Sequence, residues 1–191
     1  EVKNKEEIEI EAREIHAPVR KKFKKRKIIT LGIDDLWAAD LVIMSNYSDQ
    51  NDGFKYMLNV IDTFSKYAWS RAIKRKNGKD VSKAFEDIVK DAIKINHKPP
   101  NLLHTDKGLE FKNKEFNDVL RKYNIKIYHT ENEEKSGIVE RYNRTQNERM
   151  KVIFEINKNF KWIDILQNIV KNYNNTVHST VKKKPKDVDK D

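Results

Sequence analysis

The sequence predicts an α/β fold: a mixed five-stranded sheet with helices on both faces. Three observations predict it. Three strand-length apolar runs follow one another between residues 36 and 73, separated by short polar turns. From Val81 the apolar spacing lengthens from the period of a strand to that of a helix. Beyond Pro100, strand-length and helix-length segments alternate. A meander followed by such alternation gives antiparallel pairs first and parallel crossovers after, with the crossover helices covering the sheet.

The first strand is Leu36-Trp37-Ala38-Ala39-Asp40-Leu41-Val42-Ile43-Met44, an apolar run interrupted by one acid. Its near-continuous hydrophobicity is that of a strand buried on both faces. Residues 46–53 are polar and read as a loop. Phe54 to Ile61 and Tyr67 to Ile73 form the next two strands, and the tight connection through Asp62-Thr63-Phe64-Ser65 makes them an antiparallel hairpin. Val81, Ala84, Phe85, Ile88, Val89, Ala92 and Ile93 then mark one face of an amphipathic helix. Pro99-Pro100 ends it. Asn101 to Thr105 is the fourth strand. Phe111, Phe116, Val119, Leu120 and Tyr123 mark a second helix, and Ile125 to His129 is a short fifth strand. A polar loop over residues 131–135 closes on Ser136-Gly137. A long helix follows over about 137–156, with Val139, Tyr142, Ile153 and Ile156 as inward positions, and a last helix over about 160–173. This order matches the ribonuclease H-like layout.

Composition narrows the function. The chain has 191 residues, with 40 Lys and Arg against 30 Asp and Glu, a net charge of +10. Such an excess on one domain points either to a polyanionic partner or to a solvated basic surface. The absence of Cys excludes a disulfide scaffold, thiol catalysis and Cys-ligated zinc. No run of 18 apolar residues exists, so no membrane span or membrane partner is expected. Residues 1–29 read as an N-terminal arm, first acidic with six Glu by residue 15, then basic, with seven Lys or Arg among residues 20–27. Residues 30–181 are the folded core and 182–191 a basic tail. A first residue that is Glu rather than Met, with no secretory signal, is expected of a piece of a longer protein.

Three acids stand apart from the solvated majority. Asp40 lies inside an apolar strand, where a lone carboxylate costs several kcal/mol unless something offsets it. Asp106 follows the fourth strand, at the sheet edge where ligands of open α/β folds bind. Glu140 lies in the first turns of the long helix. Three converging carboxylates cannot all stay ionised without cations. Mg²⁺ takes hard oxygen ligands, and two such ions about 3.5–4 Å apart clamp the attacking and leaving oxygens of a phosphoryl displacement. The competing readings are local: Asp40 as a strand residue paired with a Lys, Asp106 as a turn or cap aspartate, Glu140 as the i,i+4 partner of Arg144. Asp62 reads as a hairpin-turn residue, and Asp34-Asp35 as exposed. On the long helix Asn143, Arg144, Asn147 and Lys151 share the face of Glu140 and can meet backbone phosphates. A solvated helix face is the alternative.

These residues resemble a known group. Trp37-Ala38-Ala39-Asp40, Leu103-His104-Thr105-Asp106-Lys107-Gly108-Leu109-Glu110-Phe111 and Gly137-Ile138-Val139-Glu140-Arg141-Tyr142-Asn143-Arg144-Thr145 resemble the catalytic core of retroviral-type integrases, with the D,D-35-E signature of the DDE superfamily. The wording is most similar to integrases of Maverick/Polinton-type transposons, as is Tyr173-Asn174-Asn175-Thr176-Val177-His178-Ser179-Thr180 with Lys184-Pro185. The resemblance spans about residues 30–188. Between Asp106 and Glu140 lie 33 residues rather than 35, and between Asp40 and Asp106 lie 65, more than in retroviral cores. The zinc-binding N-terminal domain and the C-terminal DNA-binding module of full integrases have no counterpart in this sequence.

The resemblance implies polynucleotidyl transfer on double-stranded DNA: trimming of the element's 3′ ends, then attack of the freed 3′-OH on target DNA. It implies two Mg²⁺ ions, with Mn²⁺ as substitute. Asp40 would bridge both, Asp106 would hold one and Glu140 the other. Ser136 would touch the element end and Lys107 a phosphate, while His104 is either at the site or packed structurally. A homodimer or tetramer is implied, acting in the host nucleus or carried in a virion. A ribonuclease H-like nuclease that cuts without joining, and a non-catalytic DNA-binding or oligomerisation domain, are the alternatives.

Overall fold

In a computed structural model of the chain, residues 30–129 and 137–189 are described. The N-terminal arm, the loop over 131–135 and Ser136 lie outside them. The strands are β1 (Leu36–Ile43), β2 (Tyr56–Asp62), β3 (Ala68–Ile73), β4 (Leu102–Thr105) and β5 (Lys126–His129). The helices are α1 (Gly78–Lys94), α2 (Lys114–Lys122), α3 (Gly137–Asn157) and α4 (Ile163–Asn174). The sheet order is β3-β2-β1-β4-β5. β1–β2 and β2–β3 are antiparallel, β1–β4 and β4–β5 parallel, as a meander feeding two crossovers requires. No helix among the described residues is long and apolar enough to cross a membrane.

The two faces of β1 go to two different helix layers. Trp37 and Ala39, with Leu58, Val60 and Trp69 of the neighbouring strands, pack under Val81, Phe85 and Ile88 of α1 and Phe116 and Leu120 of α2. Each such fully buried side chain contributes about 1.5–3 kcal/mol. Ala38, with Ile61 and Ala68, faces Val139 and Tyr142 of α3 and Tyr173 of α4. Further along the same face, Met57 meets Met150 and Phe154 of α3 and Leu166 and Ile169 of α4. α1 and α2 start on side-chain caps: Asn77 Oδ1 accepts from Asp80 N–H and Asn113 Oδ1 from Phe116 N–H, both at 2.8 Å.

Three expectations are corrected and one is extended. The inward stripe of α3 is Val139, Tyr142, Gln146, Met150 and Phe154. Ile156 falls off that stripe and is 72% exposed. The stretch read as a loop contains a 3-10 helix, Ser45–Gln50. Asp34 is buried rather than exposed: it accepts from Trp37 Nε1 (3.1 Å) and Lys98 N–H (2.7 Å), and His97 Nδ1 lies 2.6 Å away, tying the entry of β1 to the connection into β4. Asp62 does turn the hairpin, accepting from Ser65 N–H at 2.7 Å and Ser65 Oγ at 2.5 Å, but it is fully buried and also accepts from Asp34 N–H. Burial raises its pKa despite these bonds.

α4 has no cap of its own. Asn51 supplies one from across the chain: its Oδ1 accepts from Trp162 N–H (2.7 Å) and Ile163 N–H (3.1 Å), while its Nδ2 donates to Tyr47 O and Phe160 O. At the other end of α4 the tail returns, with Pro185 buried and the short 3-10 helix Pro185–Asp187 packed against α4. His178 in that return accepts from Thr180 N–H through Nδ1 (3.2 Å), so its ring is neutral there, and burial with Lys66 and Arg141 nearby holds its pKa below 6.5.

Two outcomes follow from these anchors. Asn51→Ala, which strands buried N–H and C=O groups of two segments, lowers stability by about 2–4 kcal/mol, read as a shift of the denaturant midpoint with unchanged slope. A histidine whose folded pKa is depressed binds more protons unfolded than folded, so its contribution is lost as pH falls below the ordinary value of 6.5. His178→Asn, which keeps an acceptor but not the titration, flattens the acid-side decline of stability between that value and the folded pKa, measured by denaturation at a series of pH values.

Candidate active site

The register of the sheet assembles the site. β1 and β4 run parallel with Leu36 opposite Leu102, Trp37 opposite Leu103 and Ala38 opposite His104. The same offset carries Asp40 level with Asp106, the residue that leaves β4. Both acids therefore lie toward the carboxyl end of β4, the edge that open α/β sheets leave for ligands.

Asp40 is half-buried on the α3 side of β1. Its Oδ2 accepts from Asn143 Nδ2 of α3 at 2.7 Å. Asn143 Oδ1 in turn accepts from Nδ2 of Asn59 at 2.7 Å, and Asn59 is the residue paired with Asp40 across the β1–β2 ladder. Behind Asn59 lie Ser70, Gln146 and Tyr142, all buried. Burial also pushes the Tyr142 hydroxyl to a higher pKa, keeping it protonated.

Asp106 is held by its own loop. Its Oδ1 accepts from Gly108 N–H at 3.0 Å. Its carbonyl accepts from Thr105 Oγ1 (2.8 Å) and lies 2.9 Å from His129 Nδ1 at the end of β5. A Cβ at position 108 would stand 2.6 Å from the Glu110 carboxyl, so a larger residue there would displace that side chain. That carboxyl is buried and ion-paired with Lys76 Nζ at 3.1 Å. Glu110 was legible in the sequence only as part of a motif; its structural work is to brace the turn that aims Asp106. His104 is buried and stacked on Tyr128, ring centroids 4.7 Å apart, and burial lowers its pKa. Of its two readings, the packed one describes this arrangement.

Glu140 lies exposed in the first turn of α3, one turn ahead of Asn143 and so on the same face of the helix. Among the described residues, no group of three or more His, Asp or Glu side chains is close enough to hold a metal ion. The register directs Asp40 and Asp106 to the same edge of the sheet, Glu140 lies on the helix that supplies Asn143, and no three-carboxylate cluster forms among the described residues. The partner Asp40 has here is the neutral side-chain amide of Asn143. None of the three enters an ion pair among the described residues, so none is neutralised by a lysine or arginine of its own. Lys107, Arg144 and Lys151 are exposed and Asn147 half-exposed, while Ser136 lies outside the described residues.

Comparison with known proteins agrees with this arrangement. An integrase core domain model matches residues 33–134, just over half of the chain. An uncharacterized transposon-derived protein of Caenorhabditis elegans is 33% identical over 147 residues, which is 77% of this chain and 50% of that protein, so the chain spans half the length of this relative. Among solved structures, a chain of a simian T-cell lymphotropic virus intasome bound to a PP2A regulatory subunit superposes with a TM-score of 0.71 at 18% identity, over 84% of this chain and 56% of that one. The HTLV-2 integrase catalytic core, solved with magnesium in a trimeric form, superposes with a TM-score of 0.64 at 18% identity, over 82% of this chain and 97% of that one. Those likenesses establish the ribonuclease H-like fold of integrase cores for the mixed sheet described above. With the sheet in agreement with those folds and the integrase core model matching just over half of the chain, the chain belongs to the integrase core domain family.

Proposed function

We propose that this domain is the catalytic core of a DNA integrase, performing metal-dependent 3′-end processing and strand transfer of transposon or viral DNA. The observation that carries the reading is the placement of Asp40 level with Asp106 across a parallel strand pair, with Glu140 one helical turn from the amide that holds Asp40. The family supports it, and the motif wording favours kinship with Maverick/Polinton-type elements.

The donor set suits magnesium. Asp40 and Asp106 each have one oxygen held by an amide N–H and carry no ion pair among the described residues, leaving hard oxygen atoms for a cation that prefers one or two carboxylates, water and substrate phosphate. Glu140, exposed and on the same helix face as Asn143, would join them as the further carboxylate. When bound, a divalent ion lowers the pKa of the attacking oxygen and neutralises charge gathering on the phosphate.

The chain's own residues do the rest. Asp40, Asp106 and Glu140 supply ligand oxygens. Asn143 fixes which oxygen of Asp40 faces the substrate. Lys107, Arg144, Asn147 and Lys151 meet backbone phosphates, and the net charge of +10 draws in the duplex. Ser136 contacts the element end. In the first step a water oxygen attacks a phosphodiester phosphorus, and the 3′ oxygen of the element end leaves as a hydroxyl. In the second that hydroxyl attacks a target phosphodiester, a new P–O bond replaces the old one, and the target's 3′ oxygen leaves. No covalent bond to the protein forms. The acting species is a homodimer or tetramer on host DNA, in the nucleus or delivered in a virion.

The test uses a branched DNA that presents a 3′-OH beside a phosphodiester, so that no element-end sequence is needed. Joining that requires Mg²⁺ or Mn²⁺, and that falls about 10²–10³-fold or more in Asp40→Asn, Asp106→Asn and Glu140→Gln, is the expected outcome. Cleavage without joining would make the domain a nuclease, and binding with neither reaction would make it a DNA-binding module. Full activity in Asp40→Asn would end the proposal. In a separate measurement, Arg144→Ala and Lys151→Ala each reduce the slope of log affinity for duplex DNA against log salt by about one.

A further inference from the structure

We infer that Asn59 is a positioning residue for the Asp40 carboxylate, acting through Asn143 as the outlet of a buried hydrogen-bond network that joins β2, β3 and α3. The inference rests on the reading of Asp40 as a metal-binding carboxylate. It adds to it residues that neither the sequence nor the family match assigns.

Asn59, Ser70 and Gln146 are each 0% exposed, so each of their polar atoms needs a partner inside the protein. The bonds fix one another. Ser70 Oγ has one proton, and Asn59 Oδ1 at 2.6 Å can only accept, so the proton goes there. Tyr142 OH, 2.9 Å from Ser70 Oγ, must then be the donor of that pair. The two protons of Gln146 Nε2 go to Ser70 Oγ and Tyr142 OH, both at 2.8 Å. The two protons of Asn59 Nδ2 go to Gln146 Oε1 and Asn143 Oδ1, both at 2.7 Å. Asn143 Nδ2 is left to donate to Asp40 Oδ2 at 2.7 Å.

Ser70, Asn59 and Gln146 donate around a closed ring, and the one branch that leaves it runs through Asn143 and ends on the carboxylate. Turning the three amides over would present the Asn143 carbonyl to Asp40, two acceptors with no proton between them. The network therefore has one orientation that an ionised Asp40 accepts, and Asn59 enforces it by donating to Asn143 Oδ1. Three of its members, Tyr142, Asn143 and Gln146, sit on the helix that carries Glu140. The same bonds thus set the rotation of α3 against the sheet, and with it the side from which Glu140 approaches Asp40.

Two readouts test this in the full chain. The first is Mn²⁺ affinity by titration calorimetry without DNA. Asn59→Leu and Asn143→Ala each weaken it about tenfold, as loss of an outer partner of a metal ligand does. The double variant is weaker than Asn143→Ala alone by less than the product of the two single effects, because the effect of Asn59 on Asp40 passes through Asn143. Met150→Ala, on α3 but outside the network, lowers thermal stability and leaves the affinity within about twofold of wild type. If Asn59→Leu does not fold, Asn59→Ser, too short to reach Asn143, replaces it. Unchanged affinity in either Asn59 variant, or effects that multiply in the double variant, overturns the inference. The second readout needs no metal. The side-chain amide protons of Asn143, followed by NMR, are protected from exchange in wild type and lose protection in the Asn59 variant. If wild type binds no Mn²⁺, the metal-site reading has failed, and the amide protection alone decides the positioning role. Protection unchanged in the Asn59 variant overturns it.

Discussion

A carboxylate set into the inner face of a sheet dictates what surrounds it. Asp40 sits on the side of β1 that α3 covers, between the apolar contacts made by Ala38 and Val42. An ion there without partners would cost several kcal/mol. The fold meets that cost with an amide from α3 and, behind it, a second amide from the adjacent strand. The interface between α3 and the sheet is therefore polar at its middle and apolar at both ends. Val139 and Tyr142 pack toward one end, Met150 and Phe154 toward the other, and Gln146 lies between them. A fully apolar stripe would pack as tightly but would not fix the helix at one rotation, because apolar contacts are not directional.

The partner carboxylate is held by different means. Asp106 leaves β4 into a turn in which its Oδ1 accepts from Gly108 N–H and the buried Glu110 carboxyl lies over Gly108. Glu110 is in turn held by Lys76 from the segment ahead of α1, so the α1 side of the sheet braces one acid while the α3 side braces the other. Asp40 is thus supported from α3 and Asp106 from its own turn, while Glu140 depends on the placement of α3.

Much of this was legible in one dimension. The strands, the four helices and the mixed topology follow from apolar period and connection length, which are local. Asp40 announced itself because an acid inside an apolar strand is costly, and Asp106 because it closes a strand before a glycine. The misjudged positions share a cause. Asp34 looked exposed because it precedes a strand, but its partners, His97 and Lys98, arrive from more than sixty residues away. Asn51 looked like a loop residue and caps a helix that begins at Ile163. Ile156 looked inward because it is apolar, yet the stripe that α3 buries runs through Gln146.

The sequence by itself determined which elements form, in which order, and which acids could not be ordinary surface residues. Those properties depend on neighbours along the chain and on the cost of burying charge. Only the tertiary structure decided that Asp40 lies level with Asp106, that Asn143 is its partner, and that Asn59, Ser70, Gln146 and Tyr142 orient that partner. Each of these rests on strand register and helix rotation. A shift of one residue in either turns the same side chains to another face, and no local pattern records which setting packs.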